Sequence, residues 1–346
     1  MPFQRYLIYL PIGLLALAFV GYSLWWNYAA GEVERQLLAY RDRAEDGGPR
    51  LSFSALQVGG YPFRIEAHMA DASIAAPQGS FAAKQATLHF LPYRFDHVIL
   101  SARGHQRLDV AAIGADGKPF PVAFEGSTAQ TLTSMLLTGG VPDRIDLDIR
   151  RFDGMAALGL DAPVRAQASS VEWHLRPSED APGEGFDVAS QVVDMELLDG
   201  PEPLLGRTVK RAEFIATLYK LTPDLFAGAG LPLRDWTGNG GQVWLQNVEV
   251  EWGEVDVQVT GALKLDDQHR PEGDLKAFVA GHETLLEALT KSGNIAPRDA
   301  TIARQVMALL ALGGGDPYGR VPIVMKLEDG AATVAGRRVA DLKPVY

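Results

Sequence analysis

A hydrophobic period of two, repeated along most of the chain, constrains the fold more than any other feature of this sequence. The longest example is the segment 255–265, in which the even-numbered positions are mostly polar. Its apolar phase consists of Val255, Val257, Val259, Gly261, Leu263 and Leu265. Strict alternation is typical of a strand with one dry and one solvated face, which is common in antiparallel sheets. We therefore predict a β-rich domain over residues 51–346.

Shorter segments elsewhere in the chain show the same alternation. Their apolar positions are Phe63, Ile65, Ala67 and Met69; Ala86, Leu88 and Phe90; Ile145, Leu147 and Ile149; and Val171, Trp173 and Leu175. Residues 248–279 predict a meander with one turn at Gly253 and a second in the polar segment 266–274. For residues 211–221, whose sequence also suits a helix, we favour a strand.

Two segments near the carboxyl end have a helical period instead. Residues 282–291 place three leucines on one face, and residues 298–312 follow Pro297 with an apolar stripe of their own. We expect both helices to pack on a sheet or to cover an opening in one. The predicted fold is therefore mainly β with some α, built on curved antiparallel sheet. A division into two subdomains would fall near residues 200–235.

The amino-terminal segment predicts a membrane anchor. Residues 6–30 form a run of 25 positions without a charge, and about 20 apolar residues in a helix span a hydrocarbon core of ~30 Å. Aromatic side chains at both ends suit the two membrane interfaces, so the predicted anchor residues are Tyr6, Tyr9, Trp25, Trp26 and Tyr28. A cleaved signal peptide has a shorter apolar region of about 7–15 residues. We predict a transmembrane helix over residues 1–30 and a stalk over residues 31–50.

Two arguments about the orientation of this anchor disagree. Arg5 precedes the apolar run, whereas Arg35, Arg41, Arg43 and Arg50 follow it, and the positive-inside rule then favours a cytoplasmic domain. However, long domains translocate largely regardless of flanking charge, and an apolar segment at the amino terminus is the usual export signal. We expect a single-pass protein of the inner membrane whose large domain is periplasmic.

Composition and motifs exclude several classes of chemistry. The chain has no cysteine, which rules out disulfides, thiolate nucleophiles and iron–sulfur clusters. Its net charge is −11 with Lys and Arg scattered singly, so nucleic acid is not an expected partner. The seven histidines lack metalloprotease spacing, and neither a G-x-S-x-G elbow nor a phosphate-binding loop occurs. We predict no catalytic residue, metal site or cofactor, and a hydrolase with a dispersed site is the remaining enzymatic alternative.

Several short segments occur in an order that resembles a known family. They are Gly60-Tyr61-Pro62-Phe63-Arg64, Trp252-Gly253, residues 261–266 and residues 270–273. With the amino-terminal anchor, this order resembles the bacterial envelope family catalogued as domain of unknown function 2125. That family has no assigned activity, so the resemblance implies no catalytic residue. In architecture the chain is more distantly similar to AsmA-like proteins, whose grooved sheets are associated with phospholipid transport.

Two functional hypotheses follow from these observations. In the first, the chain is a membrane-tethered lipid-handling protein whose apolar groove binds phospholipid acyl chains. The residues predicted to face the ligand are Val255, Val257, Val259, Leu263 and Leu265. A closed core would use the same five side chains equally well. In the second hypothesis, the domain is a non-enzymatic scaffold that binds another envelope protein without a small ligand.

Overall fold

The computed structural model describes residues 3–42, 49–76, 79–113, 119–139, 141–158, 163–200, 202–221, 233–293, 295–312 and 320–345. Its helices are α1 (Phe3–Asp42), α2 (Leu233–Gly238), α3 (His282–Lys291) and α4 (Pro297–Leu312). Its strands are β1 (Arg50–Ser52), β2 (Ala55–Gly59), β3 (Ile65–Ala76), β4 (Gly79–Leu91), β5 (Arg94–Ile113), β6 (Pro119–Thr138), β7 (Val141–Leu158), β8 (Val164–Pro177), β9 (Gly185–Leu197), β10 (Thr208–Tyr219), β11 (Gln242–Trp252), β12 (Val255–Leu265), β13 (Pro271–Ala280), β14 (Val321–Glu328), β15 (Ala331–Val334) and β16 (Arg337–Asp341).

All the described strands belong to one antiparallel sheet. From β3 to β16 each strand pairs with the next strand along the chain, while β1 and β2 both pair with β3. The sheet is curled but not closed. Most connections are short, and a tight turn returns the chain beside the strand it has just left. The two long connections, from β10 to β11 and from β13 to β14, contain α2 and α3 with α4. The prediction of a mainly antiparallel β fold with an amino-terminal helix and short carboxyl-terminal helices is confirmed.

From β7 to β14, the register of the sheet places the apolar phases of the strands on the same side. The pairs Val171↔Val192 and Val250↔Val257 show this on two pairs of neighbouring strands. Successive side chains point to opposite faces, and a slip by one residue would exchange the faces, so the register must match the hydrophobic pattern. The predicted meander of β11, β12 and β13 is confirmed by the pairing of Val257 with both Val250 and Val279.

Helix α1 is continuous through the predicted boundary between anchor and stalk. Its 40 residues correspond to a length of about 60 Å. The half after Trp26 packs on β1, β2 and β3, so residues 31–42 of the predicted stalk contact the sheet. Residues 43–48 lie outside the described part of the chain, and the three domain boundaries stay predictions.

The remaining local predictions can be compared with the structure. Helices α3 and α4 confirm the two predicted helices, and β10 confirms the strand favoured for residues 211–221. Phe63 was wrongly placed on a strand: it lies in a turn, since Gly60 adopts φ +96° and accepts a backbone hydrogen bond from Arg64 at 3.2 Å. At the position of the predicted subdomain break, β10 and β11 pair with each other, and residues 222–232 lie outside the described residues.

Candidate functional site

Three rows of register-matched residues, apolar except for Ser190 and Gly261, cross the sheet and form what we call the apolar face. On β7 to β14, the first row is Ile149, Val171, Val192, Ala212, Val250, Val257, Val279 and Val321. The second is Leu147, Trp173, Ser190, Phe214, Val248, Val259, Ala277 and Ile323, and the third is Ile145, Leu175, Val188, Ala216, Leu245, Gly261, Leu275 and Met325. Seven inter-strand spacings of about 4.8 Å make each row about 34 Å long.

We call the part of this face on β7 to β14 the open section, because much of it keeps contact with solvent. In the first row, the six side chains on β7 to β12 are only half-buried. In the second row, all eight residues are half-buried. The whole chain of 37.4 kDa exposes 21051 Å², whereas a compact monomer of that mass exposes about 14,000 Å². The exposed amino-terminal half of α1 and the extended single sheet both contribute to this excess.

The part of the apolar face on β3 to β5, which we call the covered section, is different. Trp26, Ala29 and Ala30 of α1 pack on Ile65, which has no exposed surface. Further along, Leu38 of α1 and Phe53 pack over a cluster of small side chains, Ala72, Ala83, Ala86 and Ala102, with Met69. Small residues let the helix approach the sheet closely, so this section is an ordinary closed core.

The short helices α2, α3 and α4 pack on the two margins of the open section. Trp236 of α2 packs with Leu175, Phe186 and Leu221, and its indole N–H donates to the Tyr219 carbonyl at 2.8 Å. At the opposite ends of the strands, α3 contacts β12 and α4 contacts β14, and Val255, Val279 and Val321 are buried there. The uncovered surface is therefore the middle of the open section, between these two margins.

The opposite face of the sheet, the polar face, is stabilised by cross-strand ion pairs and amide bonds. Arg320 is its most buried cation and contacts carboxylates of two strands. Its Nη2 lies 2.7 Å from Asp256 Oδ2 and 3.1 Å from Glu249 Oε1, and its Nη1 donates to the Gln258 side chain at 2.9 Å. Charged hydrogen bonds of this kind are stronger than neutral ones when they are shielded from water.

A second network on the polar face surrounds Glu213. Asn247 and Gln191 donate to its carboxylate at 2.7 and 2.9 Å, and Arg211 forms an ion pair with it. Burial alone would raise the pKa of Glu213, but the hydrogen bonds from Arg211, Asn247 and Gln191 outweigh it and lower that pKa below its ordinary value. The network joins β9, β10 and β11 on the side away from the apolar face.

His89 and His174 pair with carboxylates on the polar face of the sheet. His174 Nδ1 is 2.9 Å from Asp146 Oδ1, and His89 is 3.3 Å from Glu66. Burial lowers the pKa of His89 more than Glu66 raises it, which favours the neutral ring. Among the residues whose placement is described, no group of three or more His, Asp or Glu side chains is arranged to hold a metal ion.

The predicted ligand-facing residues all lie on the apolar face. Val257, Val259, Leu263 and Leu265 are half-buried, and Val255 is buried at the end of the strand. The predicted anchor residues are divided: Trp25 and Tyr28 are exposed, but Trp26 is buried against Ile65 and donates its indole N–H to the Arg64 carbonyl at 3.2 Å. The side chains of Tyr6 and Tyr9 lie outside the described residues.

Sequence reasoning missed two features of this site. It did not identify the matching apolar phases of β9 and β10, where Val188, Val192 and Phe214 each follow a polar residue but precede an apolar one. It also missed four exposed aromatic side chains at one margin of the sheet: Tyr61, Phe63, Tyr93 and Phe95. Their signal in the sequence is the presence of aromatic residues in or beside turns, where polar residues are usual.

Comparison with known proteins gives one match. A family model described as an uncharacterised protein conserved in bacteria, DUF2125, matches residues 26–343. No curated protein matches the sequence, and no solved structure matches the fold. The matched residues include the second half of α1 and the whole described sheet, so the family's shared region contains the apolar face.

Proposed function

Since the chain belongs to the uncharacterised bacterial family DUF2125, we propose from its geometry that it is a membrane-tethered protein that holds phospholipid acyl chains on its apolar face. The observation that carries this proposal is the partial exposure of the register-matched rows on β7 to β14, most of whose side chains are neither buried nor fully exposed. Exposed apolar patches of this extent are rare on soluble proteins unless they bind a partner, a ligand or a membrane. We propose that the chain has no catalytic activity of its own.

The dimensions of the open section favour an acyl chain as the ligand. Each row is about 34 Å long, and one acyl chain spans half of a hydrocarbon core of ~30 Å, or about 15 Å. Covering the exposed part of one such valine or leucine contributes roughly 0.5–1 kcal/mol, up to about a third of the value for full burial. Several such side chains, for example Val248, Val257 and Val259, would therefore hold a chain without any specific polar contact.

The tether places this face next to a source of lipid. Helix α1 is long and apolar enough to span a membrane, and its side chains from Leu10 to Val20 are exposed. We propose that it spans the inner membrane and that the sheet domain lies in the periplasm. Protease added to spheroplasts is then expected to digest the sheet domain. Protection until lysis would instead support the cytoplasmic orientation that the flanking arginines favour.

Photocrosslinking in membranes tests the proposal. A benzophenone side chain is placed at Val259 on the apolar face of the full chain, and in a matched variant at Thr260, the next residue, on the polar face. In membranes containing radiolabelled phospholipid, we expect lipid adducts at position 259 and several-fold fewer at position 260. Equal labelling, or none at either position, would contradict the proposal.

The scaffold hypothesis gives a different result in the same experiment. A partner protein on the apolar face would produce a crosslinked protein band at position 259 in place of a lipid adduct. The exposed edge strand β16, whose five residues are all solvent-accessible, is the other surface such a partner could use, because an unpaired strand edge can accept another strand. A protein band at 259 without a lipid adduct would favour the scaffold.

A further inference from the structure

Four aromatic side chains at one margin of the sheet form a surface that we call the aromatic rim. Tyr61 and Phe63 lie in the turn before β3, while Tyr93 lies in the turn between β4 and β5 and Phe95 follows it. Pairing of Ile65 with Phe90 brings these two turns side by side. Phe63 and Tyr93 are 82% and 80% exposed, so neither contributes appreciably to the core of the domain.

Contacts with α1 fix the level of the rim along the helix. The ring of Tyr61 packs edge-on against Phe19 and Trp26, with centroid distances of 6.4 and 5.3 Å. Its hydroxyl lies 2.7 Å from Ser23 Oγ, and the Tyr22 hydroxyl donates to the Pro62 carbonyl. The rim therefore lies beside residues 19–26 of α1, directly where the exposed apolar run of the helix ends.

This level coincides with the expected membrane interface. Residues 19–26 rise about 10 Å along the helix, which is close to the depth of the headgroup region. Trp25 and Tyr28 of α1 are exposed at the same level or just beyond it. Tyrosine and tryptophan prefer this zone because their rings have an apolar body and a polar edge.

We propose that the aromatic rim is embedded in the interface of the bilayer that α1 spans, so that acyl chains pass from that bilayer onto the apolar face. The inference rests on the proposed function, because it needs α1 to lie in the membrane. Helix α1 covers Ile65 and Phe90 next to the rim, but the apolar face continues past them: Val98 of β5 pairs with Met135 of β6, which pairs with Ile145 of the open section. These three side chains are only half-buried. Within the described residues, the sheet thus reaches the membrane without an intervening spacer.

The charged groups of the rim suit the same location. Arg64 and Arg94 flank the two turns and pair with Glu66 and Asp96. Both guanidinium groups remain about half-exposed, so they can reach lipid phosphates while the aromatic rings lie deeper. Long basic side chains commonly extend to the headgroup level in this way.

Depth measurement with spin labels tests the inference. The chain has no native cysteine, so single variants F63C and Y93C of the full chain can be labelled without background and reconstituted in phosphatidylethanolamine–phosphatidylglycerol vesicles. The matched control is L204C, 38% exposed in the turn between β9 and β10 at the opposite margin. L15C, on the exposed part of α1, reports the membrane span itself.

We expect labels at positions 63 and 93 to collide several-fold more with oxygen than with a water-soluble nickel chelate, relative to position 204. If they match position 204 while position 15 lies in the bilayer, the rim faces water or a partner protein, and this inference fails although the tether stands. If the label at position 15 is also in water, α1 does not span the bilayer. The proposed membrane tether is then wrong, and so is this inference.

A second variant tests the route of the lipid. The double substitution F63S/Y93S removes the two most exposed rings, and because both are almost free of contacts, the melting temperature should stay unchanged. The amount of membrane-bound protein should also stay the same, while lipid crosslinking at Val259 falls several-fold. Unchanged crosslinking would overturn the role of the rim in lipid entry.

Discussion

The covered and open sections of the apolar face have the same hydrophobic pattern but a different environment. Ile65 in the covered section is 0% exposed beneath α1, whereas Val257 in the open section is half-buried. Both have apolar partners across the sheet: Ile65, the first residue of β3, pairs with Phe90, and Val257 pairs with Val250 and Val279. The difference comes from α1, which lies over β3 but not over β12.

This difference shows how each section is stabilised. In the covered section, apolar packing between helix and sheet supplies the stabilisation, as in an ordinary core. In the open section the buried contacts are concentrated at the margins and on the polar face, where Arg320 and Glu213 join neighbouring strands. A sheet stabilised from its polar side can leave its apolar side free for a ligand.

The largest expected effect is that of a charge in the covered section. Ile65→Asp places an unpaired carboxylate under Trp26, and we expect a loss of at least about 4 kcal/mol and misfolding. Thermal melting of the full chain measures it. The control A75D adds the same charge to the exposed polar face of the same strand and should melt within a few degrees of the native protein. Similar melting of I65D and A75D would contradict the assignment of a closed core.

The next largest effect concerns the support of the open section. Arg320→Met removes the cation that pairs with Asp256 and Glu249 and leaves two largely buried carboxylates side by side, at a cost of about 3 kcal/mol. Urea unfolding measures the loss. Lys210→Met breaks the exposed pair with Glu251, where the side chain of Lys210 is 73% exposed, and should cost much less, because exposed ion pairs contribute little to stability. Equal losses would show that the polar face does not stabilise this section.

A charge on the open section should have a smaller effect on folding. Val257→Asp keeps its carboxylate partly hydrated, so we expect a loss of about 1 kcal/mol and a folded domain. Lipid crosslinking at Val259 should fall several-fold, and T260D on the polar face should leave it unchanged. If V257D misfolds as I65D does, the face is closed at this strand and the comparison between the two sections fails.

The smallest effect is a pH dependence of the open section. The pKa of Glu213 is lowered in the folded state, so its stabilising contribution is fully present above its unfolded pKa of about 4.5 and is lost as the pH falls through the folded value. We therefore expect the difference in unfolding free energy between the native protein and E213Q to be larger at pH 7 than at pH 4. A constant difference would mean that Glu213 is not stabilised as a carboxylate.

Much of this architecture could be predicted from the sequence, since the period of two determines both the strands and the faces of their side chains. Val257 and Val259 were correctly assigned to an apolar phase for that reason. Whether that phase is covered depends on contacts distant in the chain, such as those between Trp26 and Ile65. The aromatic rim was missed because Phe63 continues the alternation of β3, while Gly60 and the hydrogen bond from Arg64 turn the chain away from the strand.

The central claim is that the open section is accessible in the folded protein, and cysteine reactivity tests it most directly. Single variants V259C and I65C of the otherwise cysteine-free chain are treated with N-ethylmaleimide under native conditions, with T260C, half-buried on the polar face of the same strand, as the reference. We expect V259C to react within about tenfold of the rate of T260C, and I65C to react only on unfolding. Protection of V259C equal to that of I65C would contradict the account.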